Sequence, residues 1–333
     1  MSYVRLSDAI QPEIFSAYML KETTVKAHIF ESGALTPDAD LASKLAGGGR
    51  LFQAPFWNDL DDTESDVVND DASDEAEPGK IGAAKLQAIR QVRSRGWSSA
   101  RLVKYLAGDD PQMRIAERAG QYWARQFNSI TVNTLRGVFA DNASNDSGDM
   151  IHDITGLSNA AGKISAEAIL ETRQTMGDEG DALGLLIMHS RLLTNLKILN
   201  LIDFIPNSRG EVVIPTYLGY RVLETDQVPA LDQGGGVTWY HTYLLGLGCL
   251  GWAETGYEPQ VEVDSNPRGG KGGGIQELWM RRQFCLHPYG FNFTDSSTAG
   301  EFPTNTELRT AANWDRKFSE RKMYKMALLI SKG

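Results

Sequence analysis

The sequence predicts an α+β protein organised around one long helix, and three observations carry that expectation. Apolar residues recur at helical spacing through Asp109–Asn142: Ile115, Ala119, Tyr122, Trp123, Phe127, Ile130, Leu135, Val138 and Phe139. Two extended segments, Arg50–Trp57 and Gly82–Gly96, flank a run of acids. After residue 150, short apolar runs punctuated by Gly and Pro alternate with short helical patterns.

The long helix is expected to start with Asp110 as N-cap and Pro111 at the first helical position. The polar stretch from Asp141 should end it. About 30 residues make it roughly 45 Å long, against a mean of about 12 residues. A helix this long, with no helical partner beside it in sequence, suits a spine laid across a sheet. Periodicity alone equally allows one member of a bundle. Tyr122, Trp123 and Phe127 are its expected core.

Residues 1 to about 35 read as an arm with one weak helical pattern, Glu13–Phe30, and Gly47–Gly49 as a hinge. The glycines lack the Lys and Ser/Thr of a phosphate loop. Residues 48–97 read as a two-stranded projection, which carries too little apolar surface to be stable alone. It must lie on this chain's body or on a neighbour's. Ser98 or Ser99 is expected to cap a short helix to Ala107.

Beyond the spine, a helix is expected at Ser165–Met176 and a buried strand at Leu183–Met188. Ser190 should cap a helix bearing Leu192, Leu193, Leu196, Leu199 and Ile202. Strands at Val212–Ile214, Tyr220–Leu223 and within Val237–Trp252 complete a compact unit over about 150–256. Strands Gln260–Val263 and Ile275–His287 bracket a glycine-rich loop that holds Arg268 and Lys271, which taken by itself is a floppy solvated loop. A strand at Tyr289–Thr294, a helix at Asn305–Phe318 and a strand at Met323–Ile330 finish the chain.

The net charge of −10 is local. Leu51–Gly79 holds ten acids, among them Asp59, Asp61, Asp62 and Glu64, and no Lys or Arg. Without them the chain has 33 acidic and 33 basic residues. Lys80–Lys104 is the opposite: Lys80, Lys85, Arg90, Arg93, Arg95, Arg101 and Lys104, with no acid. Such acidity argues against general binding to phosphate backbones. Cys249 and Cys285 match no metal or redox spacing and read as buried hydrophobes of a reducing compartment, with folding in a cytoplasm. No apolar window is long enough to cross a bilayer.

No catalytic constellation emerges. Gly156-Leu-Ser158 lacks the second glycine of a nucleophile elbow. His189 ends a buried strand, where a hydrogen-bonded structural role is expected. The acidic run lacks the glycine and spaced Glu of an EF-hand loop. No metal and no cofactor are expected.

Short motifs run in order along the chain: Ile10-Gln-Pro-Glu-Ile-Phe15, Ala54-Pro-Phe-Trp-Asn-Asp-Leu60, Arg95-Gly-Trp-Ser98, Leu106-Ala-Gly-Asp-Asp-Pro111 and Tyr122-Trp-Ala-Arg125. Met188-His-Ser190, Ile214-Pro-Thr-Tyr-Leu-Gly219, Leu286-His-Pro-Tyr-Gly290 and Ala311-Ala-Asn-Trp314 continue them. In this order they make the chain resemble tailed-bacteriophage major capsid proteins of the HK97-type fold, in the group without a fused scaffolding domain.

The resemblance implies an N-terminal arm at 1–47, an extended E-loop at 48–97, a peripheral P-domain with the spine helix at 98–149 and an axial A-domain at 150–256. Residues 257–333 become P-domain strands, the P-loop and a C-terminal helix and strand that can return to the A-domain. It further implies self-assembly through pentamers and hexamers into an icosahedral shell around double-stranded DNA in the virion, with a separate scaffolding protein, a portal and a decoration protein as partners and no membrane. Asp59, Asp61, Asp62, Glu64, Lys80, Lys85, Arg90, Arg93, Arg95, Arg268 and Lys271 are the candidate inter-subunit contacts. The alternatives are the shell of a cellular nanocompartment and, from another class, a metal-dependent hydrolase using the acidic run.

Overall fold

The computed structural model describes residues 33–58, 60, 64–68, 78–102, 111–198, 203–206 and 212–333. Two sheets lie on one long helix. Among the described residues the first elements are β1 (Leu35–Pro37), helix α1 (Ala39–Ala46), β2 (Leu51–Trp57), β3 (Ala83–Ile89) and β4 (Gln91–Ala100). Helix α2 (Pro111–Asn145) follows. Then come β5 (Ile151–Asp153), α3 (Ala166–Gln174), β6 (Leu183–Met188), α4 (Ser190–Ile198), β7 (Asp203–Pro206), β8 (Val212–Tyr217), β9 (Tyr220–Glu224) and β10 (Ala230–Asp232). The last elements are β11 (Thr238–Gly246), β12 (Leu250–Thr255), β13 (Val261–Asn266), β14 (Ile275–Pro288), β15 (Phe291–Phe293), α5 (Asn305–Leu308), β16 (Trp314–Arg316) and β17 (Met326–Lys332).

The spine runs 35 residues, three past the expected end. The polar side chains there bond within the helix instead of breaking it: Ser144 Oγ donates to the Ala140 carbonyl at 2.8 Å and Asn145 Nδ2 to Asp141 Oδ1 at 2.6 Å. The turn comes at Ser147 and Gly148, both at positive φ, where the Gly148 N–H reaches back to the Asn142 carbonyl. The expected cap, Asp110, lies outside the described residues, as does the Glu13–Phe30 pattern of the arm.

One face of α2 packs on the five-stranded sheet. There β12 and β13 lie end to end along one edge of β14, with β4 along the other and β1 outside β12. Phe127 meets Trp252 and Phe284 edge-on, with centroids 5.1 and 5.2 Å apart. Nearer its C-terminus the same helix meets the eight-stranded sheet, Phe139 stacking on Tyr243 at 5.6 Å. The spine reading therefore holds, and the bundle reading does not.

The second sheet has the order β5-β17-β11-β6-β9-β8-β7, with β10 on β11. Its central strand β6 matches the expected Leu183–Met188 and is buried at every position but Gly184. Ser165, where a helix is expected to start, is the N-cap of α3, accepting from the Ala168 N–H. Ser190 does not cap α4 but is its first residue: the carbonyl of His189 takes the Leu192 and Leu193 N–H groups, and its Nδ1 accepts from Arg191 N. Leu199 and Ile202 lie outside the described residues.

Three further expectations are corrected. The segment 82–96 is not one limb of a hairpin: β3 pairs with β2, from Leu51↔Ile89 to Trp57↔Ala83, and β4 then pairs with β14 over its full length. Ser98 and Ser99 belong to that strand; a helix begins only at Arg101, and the rest of the expected helix to Ala107 lies outside the described residues. Asn305–Phe318 is not one helix. It is one turn, a 3₁₀ turn and a strand, because side chains take the carbonyls a helix would use. Trp314 Nε1 donates to the Leu308 carbonyl and Asn313 Nδ2 to that of Glu307.

Candidate functional site

The β2–β3 hairpin is rooted in the body. Phe52 and Ala88 join Leu45, Ala253 and Cys285 in a small buried cluster between α1 and the five-stranded sheet. Strand β3 is pinned by Asn292, whose Oδ1 accepts from Gln87 N at 2.8 Å while its Nδ2 donates to the Lys85 carbonyl at 3.2 Å. Gln87 Nε2 adds a bond to the Phe293 carbonyl. Arg50 pairs with Asp295 at 2.7 Å. Farther out Phe56 meets Phe318 edge-on at 5.1 Å. Past that contact the apolar side chains are uncovered: Trp57 is 69 % exposed, Leu60 70 %, Val67 86 % and Val68 95 %.

The anchoring residues Asn292 and Asp295 were not singled out from sequence. A trace exists: Asn292 is a lone polar residue between two phenylalanines, and it is buried. A buried amide must find partners, but nothing local says that they lie some 200 positions away.

The charged candidates divide. Arg90 is held within the chain, donating to the Leu45 carbonyl at 2.9 Å with its guanidinium 5.3 Å from the Phe52 ring centre. Arg93 donates to Asn305 Oδ1 at 3.3 Å; burial lowers its pKa, with Glu307 opposing. Lys85 reaches across the hairpin to Gln53 Oε1. Lys80, Arg95 and Glu64 are exposed. Asp59, Asp61 and Asp62 lie outside the described residues.

Arg268 and Lys271 are exposed on a turn that is closed rather than floppy. Gly273 and Gly274 N–H groups bond back to Gly270 and Gly269, with Gly270, Lys271, Gly272 and Gly274 at positive φ. Arg101 braces the root of that turn on Ser265 Oγ at 2.7 Å, a role not assigned from sequence. The expected core of the spine is assembled: Trp123 and Phe127 are buried, with Tyr122 at their side against Trp97.

Among the described histidines, His189 has both Ser190 Oγ, at 3.4 Å, and Asp226 Oδ1, at 3.7 Å, on the same nitrogen, Nδ1, so no relay runs through the ring from acid to hydroxyl. His189 packs edge-on against Tyr240. His152 Nδ1 lies 3.1 Å from Thr172 Oγ1. His287 is buried, which pushes its pKa down to about 4. Among the described residues no group of His, Cys, Asp and Glu could hold a metal ion, and no helix is long and apolar enough to cross a membrane.

The Gp13-like family model, described as major capsid protein 13-like, matches residues 41–325. The chain belongs to that family. The major capsid protein of Bacillus phage SPP1 is 36% identical over 325 residues, covering 97% of each chain. This capsid protein is also similar in fold to two solved phage capsids at 11% identity. The capsid of Ralstonia phage GP4 matches with a TM-score of 0.57 over 91% of this chain and 90% of that one. The Cyanophage Pam1 capsid matches with 0.53 over 87% of each. The fold is the HK97 type, and the protein is a bacteriophage major capsid protein. The nanocompartment alternative is set aside by these relatives.

Proposed function

We propose that this capsid protein builds an icosahedral shell from pentamers and hexamers around double-stranded DNA. Residues 48–97 take the place of the E-loop, and the outer part of the β2–β3 hairpin within them acts between subunits. The arm is 1–47, the P-domain 98–149 with most of 257–333, and the A-domain 150–256 with β17 joining it. The observation that carries the between-subunit role is the uncovered apolar end of the hairpin, Trp57 with Val67 and Val68, which no described part of its own chain buries. A scaffolding protein, a portal and a decoration protein are its partners, assembly takes place in the host cytoplasm, and the role is structural, without turnover. An acidic subunit suits a container whose DNA must later leave.

Negative-stain microscopy of the purified chain, alone and with its scaffolding protein, tests the reading. Closed shells of uniform diameter are expected. Monomers under every condition would sink it. Turnover on a hydrolase panel that vanishes on His189→Ala would sink the purely structural role.

A further inference from the structure

A cavity of about 520 Å³ opens between the C-terminal half of α2, strands β5, β11 and β17, and the residues around the end of α5. Its cations are Arg136 and Arg309, and neither makes an ion pair or a side-chain hydrogen bond with a described residue. Other arginines of the chain are paired: Arg281 with Glu262, Arg282 with Glu254, Arg316 with Asp149. His241 borders the same cavity, its Nδ1 buried without a hydrogen-bond partner. Burial and the Arg136 charge push that imidazole down to about 4 against the pull of Asp153, so at pH 7 it is neutral. Phe139, Ile151 and Ile330 supply apolar wall.

This lining asks for carboxylates beside aliphatic side chains. One described segment of the same chain carries both. Glu64–Val68 reads Glu-Ser-Asp-Val-Val, has no regular secondary structure, and leaves Val67 86 % and Val68 95 % exposed. Among the described residues of a single chain the segment is uncovered and the cavity open.

We propose that the cavity receives the Glu64–Val68 segment of a second copy. Its carboxylates meet Arg136 and Arg309, and its valines meet the apolar wall. The inference rests on the between-subunit reading of the hairpin and names its receiving surface. Segment and cavity are different patches of one chain, so the contact is heterologous and repeats around a ring. Charge complementarity sets which patch meets which.

Two measurements on the full-length chain test it. First, Val67→Cys chains are co-assembled with Ala143→Cys chains; Ala143 is exposed on the cavity rim, and the native Cys249 and Cys285 are buried. A disulfide-linked pair on a non-reducing gel is expected from the mixture and from neither chain alone. Second, Arg136→Glu and Asp66→Arg should each lower shell yield at least tenfold with unchanged circular dichroism, and the double variant should recover most of it.

Normal shells from Arg136→Glu, with no cross-link in the mixture, overturn this contact and leave the between-subunit reading standing. A defect that Asp66→Arg does not relieve also overturns it, since another anion then fills the cavity: an acidic scaffold segment or DNA phosphate. Wild-type chains that never assemble overturn both readings.

Discussion

Trp314 lies against the backbone of Gly137. Its indole nitrogen donates to the Leu308 carbonyl at 2.7 Å. A methyl group on Gly137 would stand 2.3 Å from that nitrogen and 2.0 Å from that carbonyl oxygen. The glycine inside a long helix is therefore a contact surface, and the helix accepts its propensity cost of about 1 kcal/mol.

Gly137→Ala is accordingly expected to destabilise. The gain in helix propensity is about 1 kcal/mol, whereas overpacking a filled site costs about 1–3 kcal/mol or more. The clash falls on a backbone carbonyl and a buried ring, neither of which can swing away. A lowered thermal midpoint or an insoluble chain is expected. A midpoint raised above wild type would show that the tryptophan can move.

Trp123→Ala should cost about 3–5 kcal/mol, the range for large aromatic truncations. Trp123 is 2 % exposed and stands between Tyr122 and Phe127. The expected outcome is loss of soluble subunit rather than altered shells. Soluble protein with normal near-ultraviolet dichroism would remove Trp123 from the core.

Arg90 and Arg95 should separate folding from assembly. Loss of the charge-assisted bond from Arg90 to Leu45 costs about 1.5–3 kcal/mol, so Arg90→Gln should lower the unfolding midpoint of the isolated subunit. Arg95→Gln removes an exposed cation and should leave that midpoint unchanged. Any assembly defect in Arg95→Gln should fade above about 0.5 M salt, where screening shortens to a few Å. Sedimentation of both variants across ionic strength, beside dichroism, checks the division. Equal unfolding of the two would erase it.

Acidification should weaken the subunit. His241 and His287 are lowered by burial from 6.5 to about 4. Between those values the unfolded chain binds more protons than the folded one, so their contribution is lost as pH falls through that window. Asp141 works the other way. Burial raises it from 3.8 to about 6, so its contribution is present at low pH and lost as pH rises through about 6. His287→Gln should flatten the fall in thermal midpoint from pH 7 to pH 4, and Asp141→Asn should steepen it. Parallel profiles for wild type and both variants would contradict the assignment.

The spine helix, the buried strand Leu183–Met188 and the helix start at Ser165 were legible in the sequence. In each case the deciding groups are neighbours: apolar residues three and four apart, a run of strand length, a hydroxyl three residues from the N–H it satisfies. The order of motifs was also enough to point to the capsid family that residues 41–325 match. Where the deciding partner lies far along the chain, only the tertiary structure could speak. Strand β4 leaves the hairpin because β14 offers it an edge about 180 positions away. The Asn305–Phe318 helix stops because Trp314 and Asn313 take its carbonyls. Strand β17 pairs with β11 and β5, carrying the C-terminal segment into the sheet of the 150–256 unit. The meeting of Arg136, His241 and Arg309 in one cavity has no sequence signature at all, because it depends on how a helix, a sheet and a turn close on one another. Local propensity is a weak prior against such long-range pairing and burial.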